Sequence, residues 1–346
     1  MAFKTMLNDE FKQMIDLIKA RTIFLLTILA ICLNFCTCAR AVAENDDSWT
    51  IRPGVLVIAV LPLADDSMSQ ALNEKYGWND PLLLAKDFIA DIKTITHGQV
   101  QPEIRQIILD PNWPEFCNDI PAYDHNTFTQ DWEIDRKFAR KFDYVAFLKK
   151  HRVRKWVENK NIEEVWIFGF PGMGCYETCM AGEGAIWCNG PVIEGFECSR
   201  SFVVYGFNYE RDVDCMLENL GHRAESMLAH VFRNDGADNP WARFSRYEKN
   251  HPGEAGCGNV HFAPNSERDY DWGNPRQVYS TCDDWARNFP ALTGKKKLVS
   301  AEEWGNGNMR LHHIWWMSRF PHHAGEFEGK LANWWKYIFD WNNYRN

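Results

Sequence analysis

The sequence predicts an α/β fold: a mixed, mostly central sheet with helices on its faces, followed by an irregular Trp- and Cys-rich region. Three observations carry that expectation. Short β-branched runs alternate with helix-length apolar-periodic segments between residues 51 and 232. A long, regularly spaced amphipathic segment closes the alternation. Beyond it, residues 233–310 lose periodicity and are rich in Asn, Gly, Asp, Trp and Pro.

Val55 to Leu61 (VLVIAVL) is a continuous apolar run, the pattern of a strand buried on both faces. Pro81 to Thr94 places Leu83, Leu84, Phe88, Ile89 and Ile92 at steps of three and four, a helix. Ile104 to Leu109 is a second strand, stopped by Asp110-Pro111. Asp143 to Asn159 reads as one helix with Val145, Phe147, Leu148, Val153, Trp156 and Val157 inward. Glu164 to Phe170 is a third strand, ended by Pro171-Gly172, and Ser201 to Phe207 a fourth.

From Asp212 to Arg233, residues such as Val213, Met216, Leu217, Leu220, Ala224, Met227, Leu228 and Val231 form one apolar stripe. Asp212 is the expected N-cap. Residues 233–310 are expected to wrap the sheet as an irregular, disulfide-tied surface, because a structureless loop of that length is rare. Leu331 to Trp341 reads as a short packing helix or strand. No clean domain boundary interrupts residues 44–346.

The chain has 346 residues, 45% hydrophobic and 25% charged, which is ordinary for a globular protein and too apolar for a disordered one. Lys and Arg number 38 against 47 Asp and Glu, a net charge of −9, and this argues against a nucleic-acid partner. Thr22 to Phe35 is an uncharged apolar run after Lys19 and Arg21, followed by Ala41-Val42-Ala43. Residues 1–43 therefore read as a secretory signal peptide cut before Glu44, with initiation at Met14 giving a more conventional leader. The expected product is secreted or periplasmic and keeps no stable membrane span. The alternative is an uncleaved N-terminal anchor.

Eight cysteines follow that leader: Cys117, Cys175, Cys179, Cys188, Cys198, Cys215, Cys257 and Cys282. Export makes an even set read as disulfides. Short loop closure favours Cys188–Cys198 and Cys257–Cys282, and Cys175 with Cys179 would close a tight loop.

The chemistry-bearing residues concentrate in two places. Glu218, His222 and Glu225 recur at four and three residues on the long helix, so they share one stripe. A carboxylate–imidazole–carboxylate stripe suits a divalent metal such as zinc, with Glu218 or Glu225 acting as base toward bound water. A solvated polar face is the plainer account. Gly221 beside His222 calls for a packing reason, since a helical glycine costs about 1 kcal/mol relative to alanine.

The second place is HFAPNSERDYDWGN, with His261, Asn265, Glu267, Asp269 and Asp271. Asp269-x-Asp271 before Gly273 suits a calcium loop, although Ser280 stands where an EF-hand needs its bidentate Glu. His261 is the candidate ligand to join His222 from another segment. The pairs His312-His313 and His322-His323 read as structural histidines. Nine of the 16 Trp lie between Trp241 and Trp341, as core fillers or as sugar-stacking faces. G-x-S-x-G and Walker motifs are absent.

The segment ENLGH, placed after an α/β sheet, resembles the zincin metallopeptidase helix, H-E-x-x-H. It departs from that pattern with Glu218 at the first His and Asn219 at the general-base Glu. Glu225 and Leu228 replace the later glycine and third His of the longer metzincin form. The resemblance implies a zincin-like scaffold in which only His222 carries over as a ligand. More widely, GWNDP, EEVWIFGFP, GFNYERDVDCMLENLGHRAES, GNVHFAPNSERDYDWGN, CDDW and EWGNG resemble an uncharacterised family of secreted bacterial proteins. That resemblance implies export and a shared fold and assigns no reaction.

Two functional expectations follow. The first is a metal-dependent hydrolase acting on extracellular peptide or glycan, with His222 as ligand and Glu218, Glu225 or His261 completing the site. The second is a catalytically silent glycan- or protein-binding protein on the same scaffold.

Overall fold

A computed structural model describes residues 46–345 apart from 47 and 65–69. The leader and its cleavage site lie outside the described residues. Strand β1 (Gly54–Val60) is buried along its whole length, as its unbroken apolar run requires. It pairs in parallel with β2 (Glu103–Asp110) on one side and β3 (Ile162–Gly169) on the other. Strand β5 (Phe202–Asn208) continues the parallel set beyond β3, with Trp166 opposite Tyr205. Strand β4 (Thr178–Ala181) runs antiparallel to β5 and completes a five-stranded mixed sheet of order β2-β1-β3-β5-β4.

The crossovers β1-to-β2 and β2-to-β3 move across the sheet in opposite directions. Right-handed connections therefore place their helices on opposite faces. Helix α1 (Pro81–Ile95) starts at Asp80, whose carboxylate accepts the Leu82 and Leu83 N–H groups, with Pro81 pre-set at the first position. It buries Leu84, Ala85, Phe88, Ile92 and Ile95, and the Phe88 ring lies 5.1 Å from Trp166 and 5.4 Å from Phe207.

The segment 143–159 is two helices, α2 (Tyr144–Lys150) and α3 (Val153–Lys160), a correction to the single helix expected. The break is at Arg152, which sits at φ 52°. His151 turns toward Asp110 at the end of β2, 3.0 Å away, an ion-pair geometry that apolar spacing does not reveal.

Helix α4 (Val213–Phe232) has Asp212 as its N-cap, donating no hydrogen and accepting the Val213 N–H. It lies on the α1 face of the sheet. Arg223 is buried there and donates to Glu164 Oε1 at 2.6 Å and to Tyr205 Oη at 3.0 Å. Trp166 Nε1 satisfies the other Glu164 oxygen at 2.8 Å, so the buried pair is hydrogen-bonded on both sides. Gly221 has its packing reason: an added Cβ would sit 2.7 Å from Val260 and 3.1 Å from the Trp316 ring.

Residues 233–310 contain short regular elements that periodicity could not locate. They include helices Pro240–Phe244 and Cys282–Asn288 and a small pairing of Val278–Ser280 with Lys297–Val299. Helix α5 (Met309–Met317) then packs on α4 and buries His312, His313, Trp315 and Trp316. The C-terminal segment is both a strand and a helix. Lys330–Asn333 pairs with His322–Phe327, and α6 (Trp334–Phe339) follows against α4. Trp304, Trp316, Trp334 and Trp335 are fully buried core fillers.

All eight cysteines among the described residues are free thiols. Burial pushes the Cys179 and Cys188 thiols up to about 12, opposite to what a nucleophile needs. No described helix is long and apolar enough to cross a membrane.

Candidate metal centre

The site is built where the middle of α4 meets the irregular segment after it. Glu218 and His222 stand one turn apart on α4, and His261 arrives from the loop that packs against Gly221. One ligand atom from each of Glu218, His222 and His261 lies within 4.8 Å of the others. The His222 and His261 rings meet edge to face at 4.9 Å.

Each imidazole is oriented by a carboxylate on its far nitrogen. His222 Nδ1 lies 3.2 Å from Glu225 Oε2, and His261 Nδ1 lies 3.1 Å from Asp269 Oδ1. A carboxylate only accepts, so both Nδ1 atoms carry hydrogen and both Nε2 atoms are turned to the centre. There His261 Nε2 is 3.1 Å from Glu218 Oε1, and His222 Nε2 is 3.7 Å from Glu177 Oε2. Tyr270 Oη donates to Glu218 Oε1 at 2.8 Å and lies 3.1 Å from His261 Nε2.

The electrostatics follow from this packing. Burial works to lift the Glu218 carboxyl, but hydrogen bonds from His261 and Tyr270 outweigh it and hold the group below its ordinary range. Burial opposes charging of His222, and the Glu225 hydrogen bond with the Glu225, Glu177 and Glu218 charges overcomes it and raises the imidazole. His261 is raised chiefly by its hydrogen bond to Glu218. An ion at the centre would replace the proton on each Nε2. A set of one carboxylate oxygen and two imidazole nitrogens, each imidazole held by a second carboxylate, fits zinc and leaves a coordination position open.

The residues singled out from sequence separate into distinct roles. Glu218, His222 and His261 converge. Glu225 stands behind His222, and its other oxygen accepts the Val260 N–H at 3.0 Å. Asp269 stands behind His261. Asp271 points into the turn instead, accepting the Glu267 N–H and the Asn274 amide at 2.9 Å each. Asp269 and Asp271 therefore face different partners. Asn265 likewise braces the loop, donating to the Asn274 and Arg276 carbonyls.

His312 and His313 lie fully buried behind the site against Trp272, at ring distances of 5.0 and 5.3 Å. His313 Nε2 approaches the Val260 carbonyl at 3.2 Å. Burial pushes His313 down to about 4 and His312 well below the ordinary imidazole range, so both are neutral packing groups. His322 and His323 stack on each other in the C-terminal hairpin region.

Two residues at the centre, Glu177 and Tyr270, carried no spacing signal. Glu177 precedes β4 and accepts the Asn189 amide at 2.5 Å. Tyr270 holds a left-handed backbone at φ 56°, an unusual conformation for an aromatic residue and one that aims its hydroxyl at Glu218. Asn219, in the frame position of a zincin general base, spends its amide on the Glu177 and Gly206 carbonyls, which ties α4 to the sheet. Compared with family models, curated proteins and solved structures, the chain matches none.

Proposed function

We propose that the chain is an exported, divalent-metal-dependent hydrolase with Glu218, His222 and His261 as its ligands and zinc as the fitting ion. The observation that carries this reading is the convergence of those three donors, with Glu225 and Asp269 orienting the two imidazoles. The long helix after the last parallel strand, beside an antiparallel edge strand, is consistent with the zincin-like scaffold that ENLGH implies. A bound ion would supply a polarised water and a Lewis acid for an acyl or similar polar bond.

The chain's own residues then divide the remaining work. Glu177, partly exposed and aimed at the centre from the sheet edge, is the base that accepts a proton at its carboxylate. It takes over the role that Asn219 cannot perform. Tyr270 donates a hydrogen bond from Oη toward the same centre, in position to stabilise developing oxygen charge. Glu225 and Asp269 hold the ring orientations throughout.

Titration of chelator-treated protein with zinc tests the reading. One equivalent is expected to bind, and His222→Ala, His261→Ala and Glu218→Ala are each expected to abolish stoichiometric binding while circular dichroism is unchanged. Absence of zinc binding by the unaltered chain would leave the alternative of a silent glycan- or protein-binding scaffold.

A further inference from the structure

We infer that the groove running from the metal centre is a binding site for a neutral saccharide chain, with Trp187 as its stacking platform. The groove encloses about 670 Å³ including its open mouth. Trp187 and Trp241 supply its aromatic surfaces, and Asn189, Ser226, Ser245 and Asn259 supply its neutral polar groups. His222 and Glu225 form the end that it shares with the metal centre.

Trp187 is the telling residue, because it is 59% exposed on a segment that is otherwise tightly tied. On that segment Cys188 is buried, and the Asn189 N–H donates to Ser226 Oγ at 3.0 Å. Gly190 lies so close to β4 that an added Cβ would sit 2.8 Å from the Thr178 carbonyl. The backbone that carries the indole is thus held in place at the groove, and the ring itself faces solvent. The Trp241 ring is held by its neighbours, stacked on Phe244 at 5.8 Å with Phe320 and Trp334 edge-on behind it.

The lining chemistry selects the ligand class. Pyranose rings present an apolar C–H face that suits an indole and a rim of hydroxyls that suits amides and alcohols. The Asn259 side-chain oxygen already accepts the His261 and Phe262 N–H groups, which leaves its NH₂ end for the groove that it lines. Among the described residues no Lys or Arg lines the groove, and the Glu225 and Glu177 carboxylates at its head repel polyanions. An extended peptide would seek strand addition on β4, but the outer edge of that strand is already engaged, with the Ile193 N–H bonded to the Met180 carbonyl at 2.9 Å.

This inference rests on the proposed metal centre only for which end of the bound chain meets the ligands. Binding itself needs no metal, so the two readings fail separately. The test is calorimetric titration of the full chain with chitotetraose and cellotetraose, in chelator-treated and zinc-loaded protein. At least one of the two is expected to bind saturably in both forms. Trp187→Ala is expected to weaken that binding at least tenfold and Trp187→Phe only a few fold, with thermal stability unchanged in both variants. Absence of saturable binding by either saccharide overturns the inference, as does binding that Trp187→Ala leaves intact. A mixed-sequence peptide that binds in their place and is lost with Trp187→Ala assigns the groove to peptides and also overturns it. Saccharide binding without zinc binding upholds the groove and overturns the metal centre.

Discussion

Glu225 bridges His222 to the segment that carries His261: one oxygen takes His222 Nδ1 at 3.2 Å and the other takes the Val260 N–H at 3.0 Å. One carboxylate thus sets the ring angle of the first imidazole and the backbone position of the second. Removing such an outer partner typically costs 10–100-fold in metal affinity, about 1.4–2.7 kcal/mol. Glu225→Ala is expected to fall in that range for zinc by competition titration, with binding still stoichiometric. An unchanged affinity would show that the ligands orient themselves.

Glu177 and Glu218 face the same centre but are assigned different work. Glu177→Gln keeps the Asn189 contact available and removes the proton acceptor. It is expected to retain zinc and saccharide binding while hydrolysis falls by 100-fold or more. Loss of zinc in this variant would make Glu177 a ligand.

Gly221 is where α4 touches the His261 loop most closely. Gly221→Ala gains about 1 kcal/mol of helix propensity. The new Cβ meets Val260 at 2.7 Å and Trp316 at 3.1 Å, however, and such overpacking costs about 1–3 kcal/mol. A net loss of up to about 2 kcal/mol in denaturant unfolding is expected, together with weaker zinc binding, because Val260 adjoins His261. A stabilised variant with unchanged zinc affinity would show that the loop yields freely.

His313 gives stability a pH dependence of definite sign. Its folded value of about 4 lies below the ordinary 6.5 because of burial, so the unfolded chain binds its proton first on acidification. Its contribution is complete above pH 6.5 and declines as pH falls toward 4, by roughly 1.4 kcal/mol per pH unit. His312, also lowered, acts in the same direction. The raised His222 and His261 act in the opposite direction, stabilising below their unfolded value and losing that contribution as pH rises through their folded values. Comparing urea midpoints of the unaltered chain and His313→Gln at pH 7, 5.5 and 4.5 isolates the term. The variant should show the shallower loss.

Strands whose identity is written in their own residues were legible: VLVIAVL and EVWIFGF are buried on both faces and can be little else. The long helix was equally legible from its stripe. Strand β4 was not, because its four residues are too few to show alternation and include Cys179, which reads as one end of a tight loop with Cys175. The break at Arg152, a left-handed position, was not legible in the apolar spacing, nor was the neighbouring contact of His151 with Asp110, 41 residues away in the chain. At the site, His222 and Glu218 were visible as an i, i+4 pair, and His261 was a named candidate. Glu177 and Tyr270 were not visible, since their roles come from a sheet edge and a left-handed backbone. Asp269 and Asp271 looked alike in sequence and were separated only by the direction each side chain takes around the turn.

The Ile193–Met180 hydrogen bond, described above for what it denies a peptide, also bears on self-association. It occupies one backbone acceptor on that rim of the sheet, which a neighbouring molecule's strand would otherwise use. At the opposite rim β2 has no strand beyond it among the described residues, and it turns Ile107 and Leu109 outward. In the central sheet β2 is therefore the more open edge for pairing, and a lysine in place of Leu109 is expected to keep concentrated solutions clear.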